Sequence, residues 1–200
     1  MKHDFCASYK NVSLRPLHRC DIEKLRVWRN DKELNKFLRP IPIITIDAQK
    51  KWYESYLANS GSYLFSVIDN DNEKMIGTIG IIKYDKSNEA EIGQIIIGDE
   101  AERGKGIGYK SLIIAACIGF KEMGVKRYRL RVFKENTIAL NLYVKAGFQK
   151  LGSHIFADTD RVEYDMSITL EGFKTKNQIS DSISLYRESS EESDRLENVE

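Results

Sequence analysis

The sequence lacks an excess of charge of either sign: 31 Lys and Arg stand against 30 Asp and Glu, a formal net charge of +1. That balance argues against a broad electrostatic grip on nucleic acid. No apolar run approaches the roughly 20 residues that span a bilayer. Met1 to Lys10 has no apolar stretch of the kind a secretory signal needs. Cysteine is sparse as well. Cys6, Cys20 and Cys117 are an odd number without C-x-x-C spacing, which points to reduced thiols in a cytoplasmic protein. At 200 residues, 42% hydrophobic and 30% charged, the chain can build one ordinary domain with a core and a polar surface.

What the chain does have is a glycine loop set between a strand and a helix. The apolar, β-branched run Ile95 to Ile97 leads through an acidic turn to Arg103-Gly104-Lys105-Gly106-Ile107-Gly108. A helical pattern begins at once after it. Glycines let a backbone approach a ligand and turn its N–H groups toward it. A helix N-terminus adds unpaired donors and the positive end of a dipole. The stretch therefore reads as an anion cradle. Two familiar phosphate motifs do not fit. A P-loop requires Lys followed by Ser or Thr after the glycines, and a dinucleotide fingerprint requires G-x-G-x-x-G.

Around that loop the chain alternates recognisable elements. Val12 to Leu17 alternates as an opening strand, and Asp21 is placed to cap a helix through Ile22, Leu25 and Trp28. Leu34 to Ile46 reads as an irregular connection with a short helical turn. Asp47 is placed to cap a second helix carrying Trp52, Tyr53, Tyr56 and Leu57. Tyr63 to Ile68, Met75 to Ile82 and Ala90 to Ile97 form a three-strand meander broken at Asp69-Asn70-Asp71-Asn72-Glu73 and Asp85-Lys86-Ser87-Asn88. Ile107 to Met123 is the clearest helix, with Gly124 as its C-cap. Arg127 to Phe133 alternates strictly, and Thr137 to Ala146 is a helix stopped by Gly147. Phe148 to Ala157 and Arg161 to Leu170 close as a strand pair around Asp158-Thr159-Asp160. After Gly172, seven acidic and four basic residues with few apolar ones predict a disordered tail over 173–200.

This order predicts an α+β domain over residues 12–172, after an extension over 1–11. Its sheet is mixed and mostly antiparallel, with about seven strands and about four flanking helices. The unit from 91 to 133 predicts a locally parallel strand pair joined by a helix.

Arg103 to Gly108 resembles motif A of the GNAT acetyltransferase superfamily, Q/R-x-x-G-x-G/A. Downstream, Asn136 to Phe148 is similar to the family's N-x-x-A-x-x-x-Y-x-x-x-G-F. The element order matches from about Val12 to Leu170. The resemblance implies transfer of an acetyl group from acetyl-CoA to a primary amine, with no metal. It implies a pyrophosphate cradle from the backbone of Arg103, Gly104, Lys105, Gly106, Ile107 and Gly108, with charge from Arg103 and Lys105. It further implies a pantetheine arm bonded beside Ile95 and Ile97, between strands that splay apart. Asn136 matches a coenzyme-contacting residue, although capping the helix at Thr137 explains it equally. Tyr143 matches the tyrosine aimed at the coenzyme sulfur, a general acid for the departing thiolate; its plain alternative is a core aromatic. Glu91, followed by Glu89, is the candidate general base, against the alternative of a solvated strand carboxylate.

The acceptor is less defined. Trp28 to Tyr56 is similar to the branch holding ribosomal-protein N-terminal and amino-sugar-nucleotide acetyltransferases. The resemblance implies a small-molecule amine, such as an amino-sugar nucleotide or polyamine, or a peptide N-terminus, acetylated by a monomer or homodimer. Arg29 and Arg39 are placed to meet a nucleotide diphosphate, with a solvated charged face as the default. The competing reading is a non-catalytic acyl-CoA-binding module that regulates through its tail.

Overall fold

The computed structural model describes residues 2–38, 41–83, 88–157 and 159–197. The expected turn at Asp85 to Ser87, Asp158 and the acceptor candidate Arg39 lie outside them. Strands β1 (Phe5–Tyr9) and β2 (Val12–Pro16) precede helices α1 (Ile22–Asn30), α2 (Lys32–Asn35) and α3 (Ile46–Ala58). The meander is β3 (Ser62–Asp69), β4 (Lys74–Lys83) and β5 (Glu89–Ile97). Then come α4 (Ile107–Glu122), β6 (Arg127–Phe133), α5 (Thr137–Ala146), β7 (Gln149–Ile155) and β8 (Val162–Thr169). The chain continues through α6 (Leu170–Lys176), β9 (Ser184–Arg187) and α7 (Ser190–Glu197).

Among the described residues, nine strands join one sheet in the order β7-β8-β6-β5-β4-β3-β2-β1-β9. Of its pairs, β5 with β6 is parallel and the others are antiparallel. This is the expected α+β architecture, with two more strands and three more helices than the sequence predicts. Both extra strands come from segments read as appendages. Phe5–Tyr9 pairs with β2, and Ser184–Arg187 pairs with β1.

The segment after Gly172, which the sequence reads as a polar tail, completes α6 and forms β9 and α7. Its anchors are both apolar and polar: Phe173 and Ile183 are buried in the α4 core, with Leu185 packed against it. His18 is wholly buried and its two ring nitrogens lie 2.9 Å from Glu188 and 3.0 Å from Glu197. Tyr53 donates to the same Glu197 carboxylate at 2.6 Å. A count of apolar residues cannot register carboxylates that find a buried partner 170 residues away.

The sheet divides two cores. On one face α4 buries eleven of its residues against β1 to β6. On the other, Ile22, Leu25 and Trp28 of α1 and Tyr53 and Tyr56 of α3 pack on Leu64, Met75 and Ile96. Each buried side chain of this size contributes roughly 1.5–3 kcal/mol, so these two layers supply most of the stabilisation. Two predicted caps act differently. Asp21 sits at the N-cap of α1 but makes no capping bond; its carboxylate takes Arg15, Ser66 and the His18 N–H. Thr45, rather than Asp47, caps α3 by accepting from the Ala48 N–H.

Candidate active site

The sheet is broken where the glycine loop begins. β5 and β6 pair at Glu89–Arg127, Ala90–Tyr128 and Glu91–Arg129 and no further, although each strand continues for several residues. β6 stays paired with β8 along its length, and β5 stays paired with β4 to Ile97. The gap between them is therefore a real divergence, not an end of structure. Its cause is a β-bulge. Gln94 has φ +54°, and the β4–β5 register shifts between Thr78 and Gly80. A bulge adds a residue, increases local twist and turns the strand aside.

The bulge also reverses which side chains face which layer. Before it, Ala90 and Ile92 face the α4 core; after it, Ile95 and Ile97 do, and Ile96 joins the α1–α3 core. Glu91 and Gly93 pair with Ile82 and Gly80, on the α1–α3 face. A Cβ on Gly93 would meet nothing within 4 Å. The α1–α3 face thus has an open floor at Gly93, beside the gap, with Glu91 two residues along the same strand.

The cradle lies just past the end of β5. Gly104 and Gly106 both have φ +79°, a left-handed conformation that only glycine adopts without strain. A Cβ at either would meet no protein atom within 4 Å, so backbone shape, not crowding, requires them. Gly106 is the N-cap of α4. Among the described residues, the backbone N–H groups of Gly104 through Tyr109 have no hydrogen-bond partner, whereas that of Arg103 is taken by the Glu100 carbonyl. A row of free donors at the start of a sixteen-residue helix suits a diphosphate.

The two cations there are not equivalent. Arg103 donates from Nε to the Ile97 carbonyl at 3.1 Å and from Nη2 to that of Gly98 at 2.9 Å. It braces the strand end from which the loop departs. Lys105 is exposed and pairs with Glu102 at 2.9 Å, which offsets part of its charge. Gly108 serves helix packing, since a Cβ there would stand 3.1 Å from Leu142 of α5. The start of α4 and the middle of α5 are therefore in close contact.

Tyr143 is 8% exposed and rests at a tilt against Phe148, 5.8 Å between ring centres. Burial pushes its phenol up to about 12, so it stays protonated. Asn136 caps α5, its side-chain oxygen accepting from the Ala139 N–H at 3.1 Å. Glu89 is committed elsewhere: Arg129 at 2.6 Å and Arg127 at 3.3 Å hold its carboxyl below the usual range. Glu91 is half-buried. No group of three or more His, Cys, Asp or Glu side chains that could hold a metal occurs among the described residues. No described helix is long and apolar enough to cross a membrane.

Several features of the site were not read from the sequence. The bulge at Gln94 and the open floor at Gly93 had a signal, a glycine inside a strand. Trp28 lies on the apolar face that its spacing predicts, and its seal on the end of β5 is the part without a signal: a Cβ on Gly98 would overlap its indole. Tyr53 and Tyr56 are buried as well, whereas Trp52 is exposed.

Comparison with known proteins agrees with this geometry. The acetyltransferase (GNAT) domain profile matches residues 11–149. Spermidine N(1)-acetyltransferase of Escherichia coli K12 is 27% identical over 145 residues, covering 72% of this chain and 76% of that one. An N-acetyltransferase 9-like protein of Caenorhabditis briggsae is 22% identical over 148 residues, covering 69% and 74%. The fold matches the crystal structure of spermidine N-acetyltransferase from Vibrio cholerae in complex with CoA and spermine, with a TM-score of 0.73 at 22% identity, over 82% of this chain and 98% of that one. The splayed strands, the glycine cradle and the profile agree: the chain belongs to the GNAT family and is an acetyl-CoA-dependent N-acetyltransferase.

Proposed function

We propose that the protein acetylates a primary amine delivered over the Gly93 floor, with the pyrophosphate of acetyl-CoA on the free N–H groups of Gly104 to Gly108. The observation that carries this reading is the divergence of β5 from β6 immediately beside the cradle. It gives an extended arm a place to lie against the backbone around Ile95 and Ile97. Acetyl-CoA supplies the acyl group as a thioester.

The chain's own residues divide the remaining work. Lys105 adds charge at the phosphates, and Arg103 keeps the loop aligned by bracing Ile97 and Gly98. Asn136 fixes the start of α5 and thereby the position of Tyr143. Tyr143 donates its phenolic proton to the departing sulfur, a role suited to a group that burial keeps protonated. Glu91, on the face of the open floor, accepts the proton of the attacking amine, directly or through water. Acceptors of the class are small amines such as polyamines, the substrate named for the Escherichia coli relative, amino sugars, or a peptide N-terminus. The protein works in the cytoplasm.

The test is thiol release from acetyl-CoA with a panel of polyamines, amino sugars and peptides. Acceptor-dependent release that Glu91→Gln slows supports the reading. Tight coenzyme binding with no release from any amine would leave a non-catalytic binding module.

A further inference from the structure

Arg29 is an isolated cation in a place where isolation is costly. Its Nε is buried and has no hydrogen-bond partner, and no described residue forms an ion pair with it. Burial alone pushes its guanidinium below the usual value, with nothing to oppose it. The carboxylates nearest in sequence are occupied. Asp31 caps α2 through the Glu33 and Leu34 N–H groups, Glu23 is held by Arg26 at 2.6 Å, and Glu33 faces Lys36. A half-buried guanidinium whose buried Nε–H has no acceptor is unfavourable, and an oxyanion is the acceptor that would satisfy it best.

Its place in the fold says which ligand. α1 crosses the sheet stepwise: Asp21 bonds Ser66 of β3, Lys24 bonds the Met75 carbonyl of β4, and Trp28 covers Gly98 after β5. The helix thus advances toward the gap between β5 and β6, and Arg29 is in its last turn. Arg29 follows the buried Leu25 by four residues and Ile22 by seven, so it lies on the sheet-facing side. That layer also holds Glu91 and the open floor at Gly93. The loop beyond is pinned there as well, because Asn30 binds both the N–H and the carbonyl of Ile44.

We infer that Arg29 is an acceptor-binding residue that receives an oxyanion, a carboxylate or a phosphate, so the preferred amine carries a negative group and is not a polyamine. This rests on the reading of the Gly93 floor as the acceptor side. A planar guanidinium with its fork free suits either oxyanion in a bidentate manner.

The experiment compares matched acceptors on the full-length protein: glucosamine with glucosamine 6-phosphate, glycinamide with glycine, and spermidine. An anionic member should exceed its neutral partner in kcat/KM by at least about 10-fold. The phosphate and carboxylate pairs tell the two sources apart. Arg29→Gln should erase that preference through KM, leaving kcat and acetyl-CoA affinity within about twofold, and Arg29→Lys should keep part of it. Arg29→Met should raise Tm, because it removes an uncompensated charge, whereas loss of an arginine with only a structural role would lower it.

Spermidine or the neutral amines turning over as well as the anionic ones, indifferent to Arg29→Gln, would overturn the inference while leaving the acetyltransferase reading intact. If no amine is acetylated, that reading fails instead, and calorimetry of CoA-loaded protein with inorganic phosphate and with acetate decides for Arg29. Binding lost in Arg29→Gln supports the oxyanion site; equal binding in both proteins sinks it.

Discussion

Burial keeps Tyr143 protonated, as its proposed role requires. Its helix is short and its outer face carries the exposed Ile138 and Val144, yet Tyr143 turns inward against Phe148. With the phenol pushed up to about 12, the hydroxyl is a proton donor throughout the working range. Tyr143→Phe should lower kcat at least about 10-fold while acetyl-CoA affinity measured by calorimetry stays within about twofold. The wild-type kcat profile should show no basic limb from this group below its pKa of about 12. Gly106 is the complementary case, needed for a conformation and not a contact. Its φ of +79° with open space at the Cβ position means that Gly106→Val strains the backbone by about 1–3 kcal/mol. The same side chain fills the cradle. Calorimetry should find acetyl-CoA binding abolished while circular dichroism reports a folded protein; retained binding would dismiss the cradle.

At the scale of elements, β5 is the decisive one. Its first half belongs to the sheet on both sides, and its second half to β4 alone. The change occurs at Gly93-Gln94, where the strand takes an extra residue and turns its face. Because space above Gly93 is empty and its backbone is extended, Gly93→Val is tolerated by the fold and obstructs the floor. We expect a Tm within a few degrees of wild type, unchanged acetyl-CoA binding and turnover reduced by about 10-fold or more, seen as a rise in acceptor KM. Unaltered turnover would remove the acceptor from this face. The packing of α5 on α4 is set by another glycine: a Cβ on Gly108 would stand 3.1 Å from Leu142.

At the scale of the whole molecule, the C-terminal segment is tied to the domain through one buried histidine. Burial alone would lower the His18 pKa, but the hydrogen bonds to Glu188 and Glu197 outweigh it and raise it above 6.5. A group whose folded pKa is raised stabilises fully below its unfolded value, and that stabilisation is lost as pH rises through the folded value. Wild type should therefore exceed His18→Gln in Tm at about pH 6, and the difference should shrink as pH rises through the raised folded value, with faster limited proteolysis of the 184–197 segment. A difference independent of pH would mean that His18 holds the tail as a neutral group.

The scales differ in how much the chain itself declared. Local signals sufficed wherever neighbours in sequence do the work. Gly124 and Gly147 end helices at positive φ, the alternation of Arg127 to Phe133 makes a strand, and the spacing from Asn136 to Phe148 carries the family resemblance. The glycine loop was legible for that reason, since it is one loop and one helix start. Tertiary structure alone decided what depends on residues distant in sequence. It committed Arg103 to the end of β5, made Trp28 a seal over Gly98, set two carboxylates of the C-terminal segment on His18, and left the Arg29 Nε buried with no hydrogen-bond partner among the described residues. Pairing and desolvation of charges are properties of an assembled interior, and no local pattern of residue types encodes them. The sequence by itself determined a GNAT acetyltransferase with its glycine loop; the packed fold determined how its charges are paired and desolvated.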